Sequence, residues 1–323
     1  MPKVFVTRPI PEVGVKMLRE KGYEVFINEK ARDRAASEKE IVNGVKGVDA
    51  MLSVLTDKIT AKVMDAGIPA LKIIANYAVG FDNIDLEAAK SRNIMVANTP
   101  GVLTDSVAEH TFTLMLAIAH RIAEADRFSR AGKYKAWGPE LLLGTDLSGK
   151  ILGIVGLGRI GTRVAHHAVK GFDMKVVYTD VKQNIEFEKE FGARFAQTID
   201  ELLPQCDFVS LHVPLLESTH HLINETRLKL MKPTAFLINT SRGPVIDEKA
   251  LALSLSKGEI RGAAIDVFEF EPEITKDLKK LDNIILTPHI ASATRETRDK
   301  MTILAAENII MALENRVPPN LVK

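Results

Sequence analysis

Short apolar runs rich in β-branched residues alternate along this chain with stretches whose apolar positions recur at helical spacing. In the first hundred residues the runs fall at Lys3–Thr7, Tyr23–Asn28, Ala50–Val54, Lys72–Tyr77 and Ile94–Asn98, and each is expected to be a strand. Runs that are apolar on both faces, separated by helical patterns, imply a parallel sheet covered by helices. Asn98-Thr99-Pro100-Gly101 breaks the rhythm, and one long helical pattern follows from Leu103 to about Gly132, where the chain is expected to pass into a second domain. After the turn at residues 146–150 a second series of runs begins, at Ile151–Val155, Lys175–Thr179, Phe208–His212, Ala235–Asn239, Gly262–Asp266 and Ile284–Thr287. The pattern turns helical again from Thr294 to about Asn315 with no strand run after it, so this last helix is expected to return to the first domain. The fold class predicted is α/β, with two doubly wound parallel-sheet domains flanking a cleft: residues 1–99 with 290–323, and residues 100–289.

Composition narrows the partner more than the fold. Forty-three Lys and Arg against 42 Asp and Glu leave a net charge of +1, which gives no long-range field toward nucleic acid, and no block of like charges forms a binding tail. The single cysteine, Cys206, excludes an internal disulfide and a thiolate metal cluster. The longest apolar run, around Phe112 to Ala119, falls far short of roughly 18 residues, and the N-terminus enters a strand without a signal-type stretch. A soluble cytoplasmic protein with a small-molecule partner, no metal, no nucleic acid and no membrane is the expectation.

The first chemical motif starts the second strand series. Ile151–Val155 runs directly into Gly156-Leu157-Gly158-Arg159-Ile160-Gly161 and then a helical pattern. In that context Gly156 permits the tight strand-to-helix turn, Gly158 admits a pyrophosphate close to the backbone, Gly161 lets helix and sheet approach, and the helix N-terminus adds amide donors. Such glycines also make plain turns; the register with a second strand, Lys175–Thr179, and the acid that ends it decides between the readings. That acid, Asp180, lies 19 residues after Gly161, where a carboxylate accepts from ribose hydroxyls and repels a 2′-phosphate. A Rossmann-type domain is expected, with NAD as cofactor and NADH preferred over NADPH, although Lys182 stands close by.

Three further polar sites follow strand runs of this domain, where open α/β sheets bind ligands. Arg242, in Asn239-Thr240-Ser241-Arg242-Gly243, offers a planar fork for a carboxylate. Asp266, Glu269 and Glu271 stand at and beyond one strand end, and His289 comes just after another. Reduction of a 2-oxo acid needs a proton donor and a carboxylate clamp beside the hydride, and histidine is the side chain that titrates nearest neutral pH. A carboxylate beside an imidazole favours its protonated form, and Glu271 is the candidate for that role. Surface arginines and glutamates are usually only solvated, but three such sites at successive strand ends are hard to explain that way. His110, His120, His166, His167, His220 and His221 lie on or beside helical stretches and are read as structural.

Taken together, GLGRIG with Asp180, LHVPL at 211–215, NTSRGPVID at 239–247, DVFEFEP at 266–272 and TPHIASAT at 287–294 resemble the D-isomer-specific 2-hydroxyacid dehydrogenases. NYAVGFDNID at 76–85 and NTPGVLTDSVAEH at 98–110 extend the resemblance over nearly the whole chain, and SVLTDKI at 53–59 looks most like the glyoxylate/hydroxypyruvate reductase branch. The resemblance implies that Arg242 binds the substrate's carboxylate and carbonyl, that His289 donates the proton, and that Glu271 pairs with it. It implies that Asp266 holds the nicotinamide carboxamide and that Thr104, Arg159, Ile160, His212, Val213, Pro214, Thr240, Ser241 and Ala291 line the cofactor. Val79 and Gly80 would present amides to the substrate, and Leu52 and Ser53 would wall its pocket. Trp137, read alone, is a buried anchor; in the family its region contributes to a homodimer and reaches toward the partner's substrate. The sequence departs from the family at Asp173, a place where glycine is common, and at Asp180, which NADP-using reductases of this branch do not carry.

The substrate expected is a small 2-oxo or 2-hydroxy acid, the first domain being the substrate domain, and the helices near residues 99–120 and 290–300 the hinge of a closing cleft. The rival readings are a D-lactate or a phosphoglycerate dehydrogenase and, from another class, an NADH-sensing corepressor-like module. With the sequence ending at Lys323, the regulatory appendage of some phosphoglycerate enzymes is not expected.

Overall fold

A computed structural model describes residues 1–322. The chain forms two compact units, one of Met1–Leu103 with the segment from Ala293 onward, the other of Thr104–Ser292. In the first unit β1 (Lys3–Val6), α1 (Glu12–Glu20), β2 (Glu24–Ile27), α2 (Glu38–Gly44), β3 (Ala50–Val54), α3 (Ala61–Gly67), β4 (Ile73–Tyr77), α4 (Leu86–Ser91) and β5 (Met95–Ala97) alternate. The five strands are all parallel, in the order β2-β1-β3-β4-β5. Phe5, Met51, Ile74 and Val96 face a core shared with α2, α3 and α4. Against the sheet's β4, and against α1, packs the helix that follows Thr294. Gly14 makes this approach possible, since a Cβ there would lie 2.3 Å from the Thr302 carbonyl oxygen.

The second unit opens with α5 (Thr104–Ala119) and α6 (Ile122–Arg130), continues through β6 (Ile151–Val155), α7 (Arg159–Phe172), β7 (Lys175–Thr179), α8 (Ile185–Phe191), β8 (Arg194–Phe195), α9 (Ile199–Leu202), β9 (Phe208–Leu211), α10 (Glu225–Leu230), β10 (Phe236–Asn239), α11 (Glu248–Lys257) and β11 (Gly262–Ile265), and ends its sheet with β12 (Ile284–Leu286). The helix from Arg295 to Leu313, α12, is the one that belongs to the first unit. Seven parallel strands run in the order β12-β11-β10-β9-β6-β7-β8. Strand alternation explains why the runs are apolar throughout. Phe236 and Ile238 join the core under α5 and α7, while Leu237 between them joins the core under α9, α10 and α11.

Four particulars differ from the sequence pattern. The long helical stretch is two helices, because the Ala119 carbonyl, which a continuing helix would offer to residue 123, accepts instead from Thr145 N at 2.9 Å. Gly144 lies against that carbonyl, and Arg121 turns left-handed, φ 56°, with its guanidinium forked on Glu124. Strand β8, two residues long, carries too little pattern to be seen in sequence. Trp137 is no buried anchor: it is 79% exposed, in a loop whose residues 133–137 are all exposed. Asp173 adopts φ 51° as the C-cap of α7, which accounts for glycine being the usual residue there.

Candidate active site

The glycine loop joins β6 to α7. Gly156 has φ 95°, and a Cβ on it would stand 2.8 Å from the His212 carbonyl oxygen; one on Gly161 would stand 2.2 Å from the Gly156 oxygen. Both glycines are therefore demanded by the protein's own packing. Gly158 is not. A Cβ there would meet nothing within 4 Å, so the absent side chain leaves open space at the exposed N-terminus of a 14-residue helix. That cradle, with its amides and dipole, suits a pyrophosphate. Asp180 stands one residue past β7; one carboxylate oxygen accepts from Leu157 N of the glycine loop at 2.5 Å and the other from Val181 N at 2.6 Å. Val181 beside it is fully exposed. A dinucleotide fits these residues.

Strand β10 delivers the arginine. Buried Asn239, its last residue, accepts from Ser241 N and Ser241 Oγ and donates Nδ2 to the Arg242 carbonyl at 2.9 Å. One amide side chain thus fixes the turn through Thr240 to Arg242. Thr240 is nearly buried and shares a 2.9 Å bond with Thr111 of α5. Arg242 is partly exposed and donates Nη1 to the Ser241 carbonyl. Nothing in the sequence pattern distinguished Asn239 from an ordinary strand end.

Beyond β11 and β12 the acid and the imidazole meet. His289 Nδ1 lies 3.0 and 3.2 Å from the two oxygens of Glu271, and Glu271 also accepts from Phe268 N at 3.0 Å. A carboxylate on that nitrogen requires Nδ1 to carry the proton, which turns Nε2 into the nitrogen that exchanges protons with anything outside. His289 has φ 53°, a conformation L-residues rarely adopt, and the neighbouring backbone is held to match. Its N–H donates to the Asp266 carbonyl at 2.8 Å, while the Asp266 carboxylate accepts from Ile290 N at 2.9 Å and Ala291 N at 2.8 Å.

Asp266 has no exposed surface. Burial raises its carboxyl, but bonds from His110, Thr287, Ile290 and Ala291 outweigh that and hold it below the usual carboxylate range. Its oxygens thus accept from both sides of the 287–291 loop, and Asp266 serves as scaffold for it. His212 follows β9, with Nε2 2.8 Å from Ser210 Oγ; desolvation lowers its pKa to about 3, so it is neutral at working pH. Val213 is partly buried and Pro214 exposed beside it.

Thr104 is the first residue of α5 in the second unit, whereas Leu52, Ser53, Val79 and Gly80 belong to the first. Val79 and Gly80 form the turn after β4, with the Val79 carbonyl held by Asn98 Nδ2 at 2.8 Å and the Gly80 carbonyl by Asn76 Nδ2 at 2.9 Å. Leu52 and Ser53 are fully buried in β3, and Ser53 gives its hydroxyl to Asn76 at 3.0 Å. Ser53 thereby braces the side chain of Asn76, its register partner on β4. No group of three metal-ligating side chains occurs among the described residues, and no helix there is long and apolar enough to cross a membrane.

The family model for the D-isomer specific 2-hydroxyacid dehydrogenase NAD binding domain matches residues 112–291. A glyoxylate reductase of Korarchaeum cryptofilum is 50% identical over 99% of this chain and 96% of that protein. Among solved structures, the TT0316 protein from Thermus thermophilus aligns with TM-score 0.93 at 43% identity over 99% of this chain and all of that one. An NADPH-dependent glyoxylate/hydroxypyruvate reductase from Sinorhizobium meliloti aligns with TM-score 0.84 at 29% identity over all of this chain and 97% of that one. The chain belongs to the D-isomer specific 2-hydroxyacid dehydrogenases. It is an oxidoreductase that uses a nicotinamide dinucleotide and acts on a small 2-hydroxy or 2-oxo acid.

Proposed function

We propose that this enzyme is an NADH-preferring glyoxylate and hydroxypyruvate reductase, with His289 as proton donor, Glu271 as its partner and Arg242 as the clamp on the substrate carboxylate. The observation that carries the reading is the Glu271–His289 pair, 3.0 Å apart, with the imidazole held at a left-handed backbone position. When bound, the dihydronicotinamide supplies a hydride to C2 of the 2-oxo acid. His289 gives the proton on Nε2 to the carbonyl oxygen, while the Glu271 carboxylate holds Nδ1–H and with it the orientation of the ring. Arg242 forks onto the carboxylate, drawing charge from the adjacent carbonyl and fixing which face meets the donor. The run from Gly156 to Gly161, with Arg159 and Ile160 in the first turn of α7, would hold the pyrophosphate, Asp180 the ribose, and Thr104, His212, Val213, Pro214, Thr240, Ser241 and Ala291 the rest. The first unit serves as the substrate domain, its Val79–Gly80 turn offering backbone amides to an anion.

Glyoxylate is chosen because relatives half identical to this chain are named glyoxylate reductases, and hydroxypyruvate because the Sinorhizobium protein is named for both acids. Against the NADPH dependence of the Sinorhizobium protein stands Asp180, whose charge opposes a 2′-phosphate. The loop with exposed Tyr134, Trp137, Leu141 and Leu143 supports pairing with a second copy, which sedimentation of the purified protein would reveal.

The test follows NADH consumption with glyoxylate, hydroxypyruvate, pyruvate and phosphohydroxypyruvate. The first two should be reduced best, and NADH should exceed NADPH in kcat/KM by about tenfold or more, about 1.4 kcal/mol. His289→Ala and Arg242→Ala should each lose about 10²- to 10⁴-fold. Activity within threefold of wild type in His289→Ala would overturn the assignment of the donor, and equal use of both cofactors the role of Asp180.

A further inference from the structure

The geometry points to His110, on α5, as a positioning residue for His289, acting through the buried Asp266 carboxylate and the Thr287 hydroxyl. This rests on the reading of His289 as proton donor. His110 Nε2 lies 3.5 Å from Asp266 Oδ1 and 3.4 Å from Thr287 Oγ1. Thr287 has one hydroxyl proton and spends it on Asp266 Oδ1 at 2.6 Å. Its oxygen therefore only accepts toward His110, and Nε2 of His110 must carry a proton shared between the two acceptors. Asp266 has no exposed surface and His110 only a partly exposed side chain, so this charge-assisted contact forms away from bulk water, where it is worth most.

The consequence reaches the imidazole through the backbone. Asp266 Oδ1 takes Ile290 N as well as Thr287, and Oδ2 takes Ala291 N. These bonds pin both sides of His289, whose own N–H is on the Asp266 carbonyl and whose φ of 53° persists only if the surroundings impose it. His110 closes the donor set of the carboxylate that does the imposing. Its neighbour Thr111 bonds Thr240 at 2.9 Å, so two consecutive side chains of α5 tie one helix to the loops that follow β10, β11 and β12. Loss of the His110 donor frees the 287–291 loop to relax, and His289 drifts from the geometry that proton transfer requires.

The experiment compares His110→Ala, His110→Gln, Thr287→Val and His289→Ala with wild type in NADH-dependent glyoxylate reduction, with kcat and KM determined separately, the NADH Kd measured by fluorescence, and melting recorded for each. In Gln an amide N–H stands in for Nε2–H. His110→Ala should lower kcat by ten- to a hundredfold with KM for glyoxylate and Kd for NADH within about threefold of wild type, because Arg242 and the glycine loop with Asp180, the main holds on substrate and dinucleotide, are untouched. His110→Gln should recover kcat to within about threefold, and Thr287→Val should reproduce the loss of the alanine variant. A His110→Ala kcat within twofold of wild type overturns the inference, as does a glutamine variant no better than alanine. If His289→Ala remains active, the reading of the donor has failed; if that variant is inactive while His110→Ala is normal, the positioning role alone has failed.

Discussion

Gly243 faces the peptide after Phe268 so closely that a Cβ on it would stand 1.9 Å from the Phe268 carbonyl carbon and 2.4 Å from Glu269 N. The glycine behind Arg242 is thus where the arginine loop and the loop carrying Glu271 touch. Gly243→Ala must push these two backbones apart, since the clashing atoms are not the ends of flexible side chains. Activity is expected to fall by about 10²-fold, with a stability loss of about 1–3 kcal/mol from overpacking. Steady-state kinetics beside urea melts check this; wild-type kcat in the alanine variant would mean that the two loops need not touch.

Glu271→Gln keeps a hydrogen-bond acceptor for His289 Nδ1 and removes the charge. The pair stands with both side chains about one quarter exposed, so its contribution to stability is small. The expected loss is about ten- to a hundredfold in kcat for 2-oxo acid reduction, with melting temperature and NADH affinity unchanged. A variant as fast as wild type would remove the charge of Glu271 from the mechanism.

Burial drives the Cys206 thiol up to about 12, and its Sγ–H donates to the Leu202 carbonyl at 3.2 Å. The thiolate is the reactive form, so Cys206 should ignore Ellman's reagent at pH 8 in the native protein. It should react stoichiometrically once urea unfolds the chain. Fast labelling of the native protein would contradict the packing of β6 and α9 around it.

His212 titrates near 3 when folded and near 6.5 when unfolded, so below about pH 6.5 the unfolded chain binds the extra proton. Its contribution to stability is complete above that pH and is lost progressively as pH falls toward 3. The urea midpoint should therefore drop between pH 7 and pH 5, and His212→Gln should flatten part of that slope. An unchanged slope in the glutamine variant would show that other groups carry the acid sensitivity.

Much of this protein was determined by the chain's local chemistry. Period and composition fix strands and helices wherever burial on both faces leaves a continuous apolar run, as in Ile151–Val155. Two glycines of the phosphate loop are legible because backbone conformation and contact distance admit nothing larger at Gly156 and Gly161, and the third, Gly158, because its missing side chain leaves open space at the helix N-terminus. Arg242, Glu271 and His289 stand out because charged groups just past buried strands need a reason. What only the tertiary structure decided are relations between residues far apart in sequence. Ser53 looks like any other residue of a buried strand until β4 brings Asn76 beside it, and Trp137 looks like core until no element covers it. His110 reads as one more helical histidine because its partners lie 156 and 177 residues away. A local pattern records what each residue prefers, whereas a buried carboxylate acquires its donors from whichever segments the sheet brings beside it.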